Sequence, residues 1–387
     1  MDKHLSFTLT IFFFILIVFI VINSFYWSLS KRQLARIESN SILQDWRFWI
    51  PCLIYAFVLG YRWNYAYDWW QYYNTFNDIQ RGLLYRESTE KGYLFINILL
   101  GKLGFDYYSI FILEGFIYIL SIYVLLKHNK LALVFALPLI YMGCRYSCLN
   151  ISRQFFAQSI LWIGFYYLLK NKKKVYWILG LIACSIHSSA YIWIVIFYFA
   201  KNLKIPSKKF AIVIYTICWL LRDSLLILFA KLGGILTSYI ISNKNYDMEF
   251  MMADRFIRDS YDISHTIIYF ILGINYILST YFLLQKRLIK HKSDYIIITI
   301  GFFGMCLNII AGPHEITNRF MWYFSCLYYV GWGICLSYLF RNKNIIPLYI
   351  WIFNLFALLQ IIWGMYWQIV SEVTITHHYL EYKISFL

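Results

Sequence analysis

Apolar runs long enough to cross or enter a bilayer recur along the chain, separated by short basic interruptions. They fall at 6–27, 47–60, 107–126, 131–148, 152–169, 175–200, 210–229, 265–284, 294–311, 320–340 and 345–367. A helix needs roughly 20 apolar residues to span about 30 Å of hydrocarbon. Between the runs stand Lys31-Arg32 with Arg36, Lys127 to Lys130, Lys170 to Lys174, Lys201 to Lys209, Gln285 to Lys292, and Arg341 to Lys343. Lysine and arginine gather at cytoplasmic ends of membrane segments. Keeping all six clusters inside puts the amino terminus outside. One run resists a single crossing: if 175–200 crossed once, Lys170–Lys174 and Lys201–Lys209 would lie on opposite faces. An even number of crossings is required. The pattern therefore predicts a tight hairpin or re-entrant pair, broken near His187-Ser188-Ser189, with arms too short to span. Such a break needs protein or a watery cavity to satisfy its backbone. The expectation is an all-α polytopic membrane protein of about 11–12 membrane segments, in one integral membrane domain over 1–387.

On this map the outer connections are an aromatic loop at 61–106, a short turn around Arg145–Arg153, a loop at 230–264 and Gly312–Arg319. The first holds Tyr61-Arg62-Trp63-Asn64-Tyr65-Ala66-Tyr67-Asp68-Trp69-Trp70-Gln71-Tyr72-Tyr73, and its sequel from Lys91 to Phe105 fits an interfacial helix or half-span. The loop at 230–264 mixes apolar residues with Asp247, Glu249, Asp254, Arg255, Arg258, Asp259 and Asp262, which suggests a cap over the outer face. No soluble domain, internal repeat or heptad seam interrupts the pattern.

Composition agrees with the membrane reading. With 61% apolar and 14% charged residues, a soluble fold of this length has too little polar surface to cover itself. A net charge of +16 would suggest nucleic acid in a soluble protein. Here most basic residues sit in the inter-run clusters, so the partners expected are membrane lipids and not nucleic acid. The run at 6–27 is followed by no small-residue cleavage pattern and reads as an uncleaved first helix. All eight cysteines lie in or beside apolar segments without metal-type spacing, as buried thiols do.

Charges at membrane depth cost about 2.5–3.5 kcal/mol on insertion scales and face cavities or partners. Arg145 and Arg153 bracket an outer turn, and Asn150 or Ser152 is placed to cap the helix that Arg153 opens. That outlines an anion site, with arginines reaching for outer headgroups as the alternative. His187 stands beside serines at the expected break, as a site residue or as a satisfied core histidine. His314-Glu315 and Arg319 form a further outer cluster, and Arg62, Asp68, Arg86 and Glu90 supply charge to the aromatic loop. Rings mixed with Asp, Asn, Gln and Arg suit carbohydrate, and equally describe an interfacial belt.

At these residues the chain resembles the EpsG-like branch of the Wzy-type bacterial polysaccharide polymerases. The resemblance covers about 60–200 and rests on the order and spacing of several short motifs. They are Arg62 with Tyr67-Asp68 and Tyr72-Tyr73, Glu90-Lys91-Gly92-Tyr93 with Asn97, Ser152-Arg153-Gln154, and Ile186-His187-Ser188-Ser189-Ala190. It continues weakly at Asn318-Arg319-Phe320 with Tyr323-Phe324. One departure is visible: the family loop often reads Gly-Thr-Asp-Tyr, where this chain has Tyr65-Ala66-Tyr67-Asp68-Trp69.

The resemblance implies an architecture like that of GT-C type glycosyltransferases, with glycosyl transfer at the outer face of the bacterial cytoplasmic membrane. Donor and acceptor would be oligosaccharide repeat units on undecaprenyl diphosphate. The product would be capsule, exopolysaccharide or O-antigen, with a flippase and a chain-length regulator as partner proteins. His187, Arg153, Asp68 and Glu90 are the catalytic candidates. Arg153, Arg319 and Arg145 suit a departing diphosphate, and His187, Asp68 or Glu90 suits the proton of the incoming hydroxyl. Arg62, Tyr72, Arg145, Asn150, Gln154, Ser188 and Arg319 are the candidate substrate contacts. No cofactor and, with no compact Asp-x-Asp element, no divalent metal is expected. The rivals are an O-antigen-type ligase sharing the donor, a lipid-linked oligosaccharide flippase or exporter, and a membrane O-acyltransferase.

Overall fold

The computed structural model describes residues 3–63, 65–66, 68–83, 89–228, 263–311, 315–374 and 383–384. Tyr67, Arg86, His314, the Glu315 side chain and the charged loop through Asp262 lie outside them. The helices are α1 (Lys3–Ser24), α2 (Lys31–Ser39), α3 (Trp46–Gly60), α4 (Trp69–Gln80), α5 (Lys91–Lys102), α6 (Tyr108–Leu125), α7 (Leu133–Asn150), α8 (Ser152–Leu169), α9 (Lys173–Ile186), α10 (Ala190–Ala200) and α11 (Lys208–Leu220). Then come α12 (Arg222–Leu228), α13 (Ile263–Gln285), α14 (Lys292–Ala311), α15 (Glu315–Arg341) and α16 (Leu348–Thr374). The strand content among the described residues is one two-residue antiparallel pairing, Arg62–Trp63 with Lys383–Ile384. The chain is an all-α polytopic membrane protein.

Among the described residues, six helices are long and apolar enough to cross a membrane, and the bent pair α11–α12, kinked by 79°, makes a seventh if it is one span. The expected 11–12 segments included helices that are apolar but short. Trp46–Gly60 and Ala190–Ala200 have 15 and 11 residues, about 22 and 17 Å at 1.5 Å per residue. The described residues fall into two compact units, Met1–Tyr198 with Ile362–Leu387, and Phe199–Ile361.

In the first unit, α1 is part of the packing. Phe12, Ile15 and Phe19 are fully buried while Phe14, Ile17 and Val21 stay exposed, as expected of a helix facing protein on one side and lipid on the other. Helices α3 and α6 run antiparallel at close range, because Gly60 lies on Ile112 and Gly115 on Ala56. All eight cysteines are buried free thiols.

The segment at 175–200 is a helical hairpin. Gly180 meets Ile194, and the rings of Tyr176 and Trp177 meet that of Tyr198. Residues 14 to 22 positions apart touch in a nested order that only a reversal of direction allows. The reversal is at 187–189, between α9 and α10. Their 14 and 11 residues make arms of about 21 and 17 Å. Helix α8 lies antiparallel to α9, with Gly164 against Tyr176 and Leu179. That register brings the first turn of α8, with Arg153, level with the hairpin tip, with His187.

In the second unit, Tyr276 lies where Gly301 and Gly331 leave room for its hydroxyl, which donates to the Ile298 carbonyl at 2.8 Å. Asn354 accepts from Trp332 Nε1 at 2.8 Å and donates to Ser279 Oγ at 2.9 Å, so its buried amide is satisfied.

Candidate functional site: a guanidinium, a carboxylate and a hairpin tip

Helix α7 runs to Asn150 and α8 starts at Ser152, with Ile151 as the hinge between them. Neither Asn150 nor Ser152 caps α8, contrary to expectation. Asn150 is still helical, and its Oδ1 accepts from the Asp68 N–H at 3.0 Å. Arg145 correspondingly lies inside α7 rather than in a turn.

Arg153 Nη1 is 2.9 Å from Glu90 Oε2. The other oxygen of that carboxylate, Oε1, accepts from the Ser188 N–H at 3.2 Å. Glu90 at the start of α5 thus ties the first turn of α8 to the tip of the hairpin. The Arg153 and Glu90 side chains are 16% and 13% exposed, so the pair is largely desolvated yet open to a ligand. Burial by itself would push the Glu90 carboxyl up. The Arg153 guanidinium, the Ser188 N–H and, when protonated, His187 together outweigh that and hold it below the usual glutamate value. The Arg153 guanidinium stands 5.6 Å from the centre of the Tyr93 ring, and the Tyr72 hydroxyl interacts with the Arg153 backbone.

His187 Nδ1 is 3.2 Å from the Ser189 N–H and 3.0 Å from Ser189 Oγ. A backbone N–H can only donate, so Nδ1 is the acceptor and the neutral ring carries its proton on Nε2. Four residues chosen from sequence therefore converge: Glu90, Arg153, His187 and Ser188, with Tyr72 behind Arg153.

Other candidates turn to protein partners. Arg62 donates to the carbonyls of Leu59 and Leu149 at 2.7 and 3.1 Å, 4.2 Å from the Phe111 ring centre. Arg145, 1% exposed, donates to Tyr65 Oη at 2.6 Å and lies 4.3 Å from the Phe12 ring centre. Gln154 is buried in α8. Arg319 belongs to the second unit, half-buried near the start of α15. Ala66 holds a φ of 84°, a backbone state that glycine adopts freely. It stands two residues before Asp68, where the motif Gly-Thr-Asp-Tyr has its glycine. The aromatic loop is in part a helix, α4, whose Trp69 and Tyr73 stack on each other and meet Trp63 and Tyr107 edge-on, with Trp70 edge-on to Trp63.

Glu114 escaped the sequence reading, although a lone acidic residue in the middle of the run 107–126 is a plain signal. It is buried in α6 and lines a cavity of about 20 Å³ with Arg62, Tyr118 and Ser152.

Gly92 sets the reach of Glu90. A Cβ at this position would collide with Ser185 Oγ and meet the Ser185 carbonyl oxygen at 2.7 Å. Gly92→Ala is expected to push α5 off α9 and separate Glu90 from the tip. Overpacking of this kind costs about 1–3 kcal/mol, so the variant is expected to insert in the membrane yet melt earlier than the parent, which thermal unfolding measures.

No curated protein and no solved structure matches the chain. The model of the EpsG family matches residues 45–384, which takes in both units, the Glu90–Arg153 pair and the hairpin tip. The chain belongs to the EpsG family, the family of exopolysaccharide-polymerase-like membrane proteins.

Proposed function

We propose that the chain polymerises oligosaccharide repeat units carried on undecaprenyl diphosphate, at the outer face of the bacterial cytoplasmic membrane. The observation that carries this reading is the meeting of Arg153, Glu90, Ser188 and His187 at the end of a helical hairpin. A lipid diphosphate leaving the anomeric carbon gains negative charge on its oxygens, and a preorganised guanidinium stabilises that charge as it forms. Glu90 holds Arg153 in place and shares it with the arriving phosphate. With its Nδ1 engaged by Ser189, neutral His187 acts as a hydrogen-bond donor through Nε2, toward the same phosphate. It does not act as the base. Asp68, tethered through its N–H to Asn150, hydrogen-bonds sugar hydroxyls, and the half-exposed rings near Trp70 offer faces on which sugars stack.

Purified protein in liposomes, supplied with single lipid-linked repeat units, tests the reading. The expected result is a ladder of products one repeat unit apart, with undecaprenyl diphosphate released at each step. Transfer confined to a lipid A-type acceptor would indicate a ligase. Movement of intact units between leaflets without transfer would indicate a flippase.

A further inference from the structure

Glu114 is a carboxylate in the middle of an apolar helix, 5% exposed. Neither of its oxygens, nor the Ser152 hydroxyl, has a hydrogen-bond partner of normal geometry among the described residues. The Ser152 hydroxyl lies beside it as its nearest hydrogen-bonding group, and the charges of Arg62 and Arg153 act on it from further away. Beside it is the cavity of about 20 Å³ lined by Arg62, Glu114, Tyr118 and Ser152 on its polar side. A cavity of that size, with polar groups on one side, has room for one water.

A buried carboxylate whose oxygens lack a hydrogen bond of normal geometry is costly, and a packed hydrophobic or amide in its place would be cheaper. Structure alone gives no reason for this charge. Its surroundings do. Ser152 precedes Arg153 in the chain, so the cavity lies next to the backbone that positions the guanidinium. Glu90, the more obvious carboxylate, is committed to Arg153 and to the Ser188 N–H. His187 Nδ1 is committed to Ser189. In Glu114 both carboxylate oxygens remain available to take a proton.

We propose that Glu114 is a positioning and proton-holding residue of this same site, acting through Ser152 and a water in the cavity to take up the proton released by the acceptor hydroxyl. The inference rests on the polymerase reading. In the transfer step the acceptor oxygen bonds to the anomeric carbon as that carbon's bond to the phosphate oxygen breaks. The electron pair leaves on the diphosphate, beside Arg153. The acceptor proton passes to the cavity water and on to Glu114, which becomes a neutral acid. Negative charge then grows at the diphosphate while it disappears at Glu114, so the buried region never carries both anions at once. Glu114 returns its proton to solvent once the diphosphate has gone.

The test compares wild type, Glu114→Gln and Glu114→Asp, each purified and reconstituted with single lipid-linked repeat units, with turnover, KM and thermal stability measured together. Glu114→Gln keeps shape and removes the charge, so it is expected to be at least as stable as wild type. Its turnover is expected to fall about 10²-fold, the size of a lost acid–base group, with KM within about twofold. Glu114→Asp keeps a proton acceptor one methylene further back, and is expected to recover part of the turnover. A Gln variant that elongates at the wild-type rate overturns the role of Glu114 and leaves the polymerase reading standing. Equal loss in Gln and Asp, tracking a fall in stability, also overturns it, in favour of packing. A wild-type protein that makes no polymer from these units overturns both.

Discussion

Arg153→Lys is expected to lower polymer formation about 10²-fold or more while the protein accumulates in the membrane at its normal level. The charge survives this substitution but the geometry does not. A guanidinium is planar and presents parallel N–H groups, so it can hold Glu90 with one edge and meet two phosphate oxygens with its remaining donors. An ammonium group is a point charge with no such fork. Removing one preorganised donor to a developing oxyanion typically costs 10²–10³ in turnover, and Lys removes the bidentate arrangement altogether. The lesion has a second signature. If synthesis and flipping of the repeat unit are intact, single lipid-linked units should accumulate on the outer leaflet, where an impermeant sugar-modifying enzyme reaches them. A flippase defect would leave them on the inner leaflet. Long polymer at normal expression in the Lys variant would remove Arg153 from the chemistry.

Breaking the pair from the other side should show in stability as well as in turnover. Glu90→Ala leaves the Arg153 guanidinium largely buried without its carboxylate. Removing one partner of a buried pair costs about 3–5 kcal/mol; with both side chains 13–16% exposed, about 2–3 kcal/mol is expected here. The double variant Glu90→Ala with Arg153→Met removes both charges and should regain most of that stability, yet make no polymer. A pair that served only to hold helices together would instead let polymer return with stability. The pH dependence has a definite sign. The folded-state value for Glu90 is depressed, so its contribution is present above the unfolded glutamate value of about 4.3 and is lost as pH falls through the folded value. The melting-temperature gap between wild type and Glu90→Gln should therefore be full at pH 7 and shrink below about pH 4.3. A gap independent of pH would mean that the Glu90 charge does not stabilise the fold.

Much of the architecture was decided by one-dimensional pattern. Hydrophobic length and basic clustering act locally, through the cost of burying backbone and charge in hydrocarbon. They were sufficient to require an all-α polytopic membrane protein and a reversal near His187. Tyr176 against Tyr198 and Gly180 against Ile194 are that reversal in three dimensions. Span number was less legible, because an apolar run carries no mark of where its helix stops. The run 47–60 and the arms of the hairpin are apolar, yet their helices are short of a bilayer. The aromatic loop concealed α4, whose crowd of Trp and Tyr over 69–73 reads as interface and not as a helix.

The order of the short motifs marked Glu90, Arg153 and His187, residues 63 and 34 positions apart. What they do for one another was a tertiary matter. The antiparallel register of α8 and α9 sets Arg153 level with His187, and the close approach at Gly92 brings Glu90 between them. The same packing separated arginines that look alike in sequence. Arg62 and Arg145 look like Arg153 in sequence, but carbonyls, Tyr65 and aromatic faces engage them. Arg153 keeps a partly exposed carboxylate as its partner. Sequence determines that a charge in an apolar run must have a reason. Whether that reason is a protein group or a substrate depends on what the neighbouring helices bring within 3 Å, and only their packing decides it.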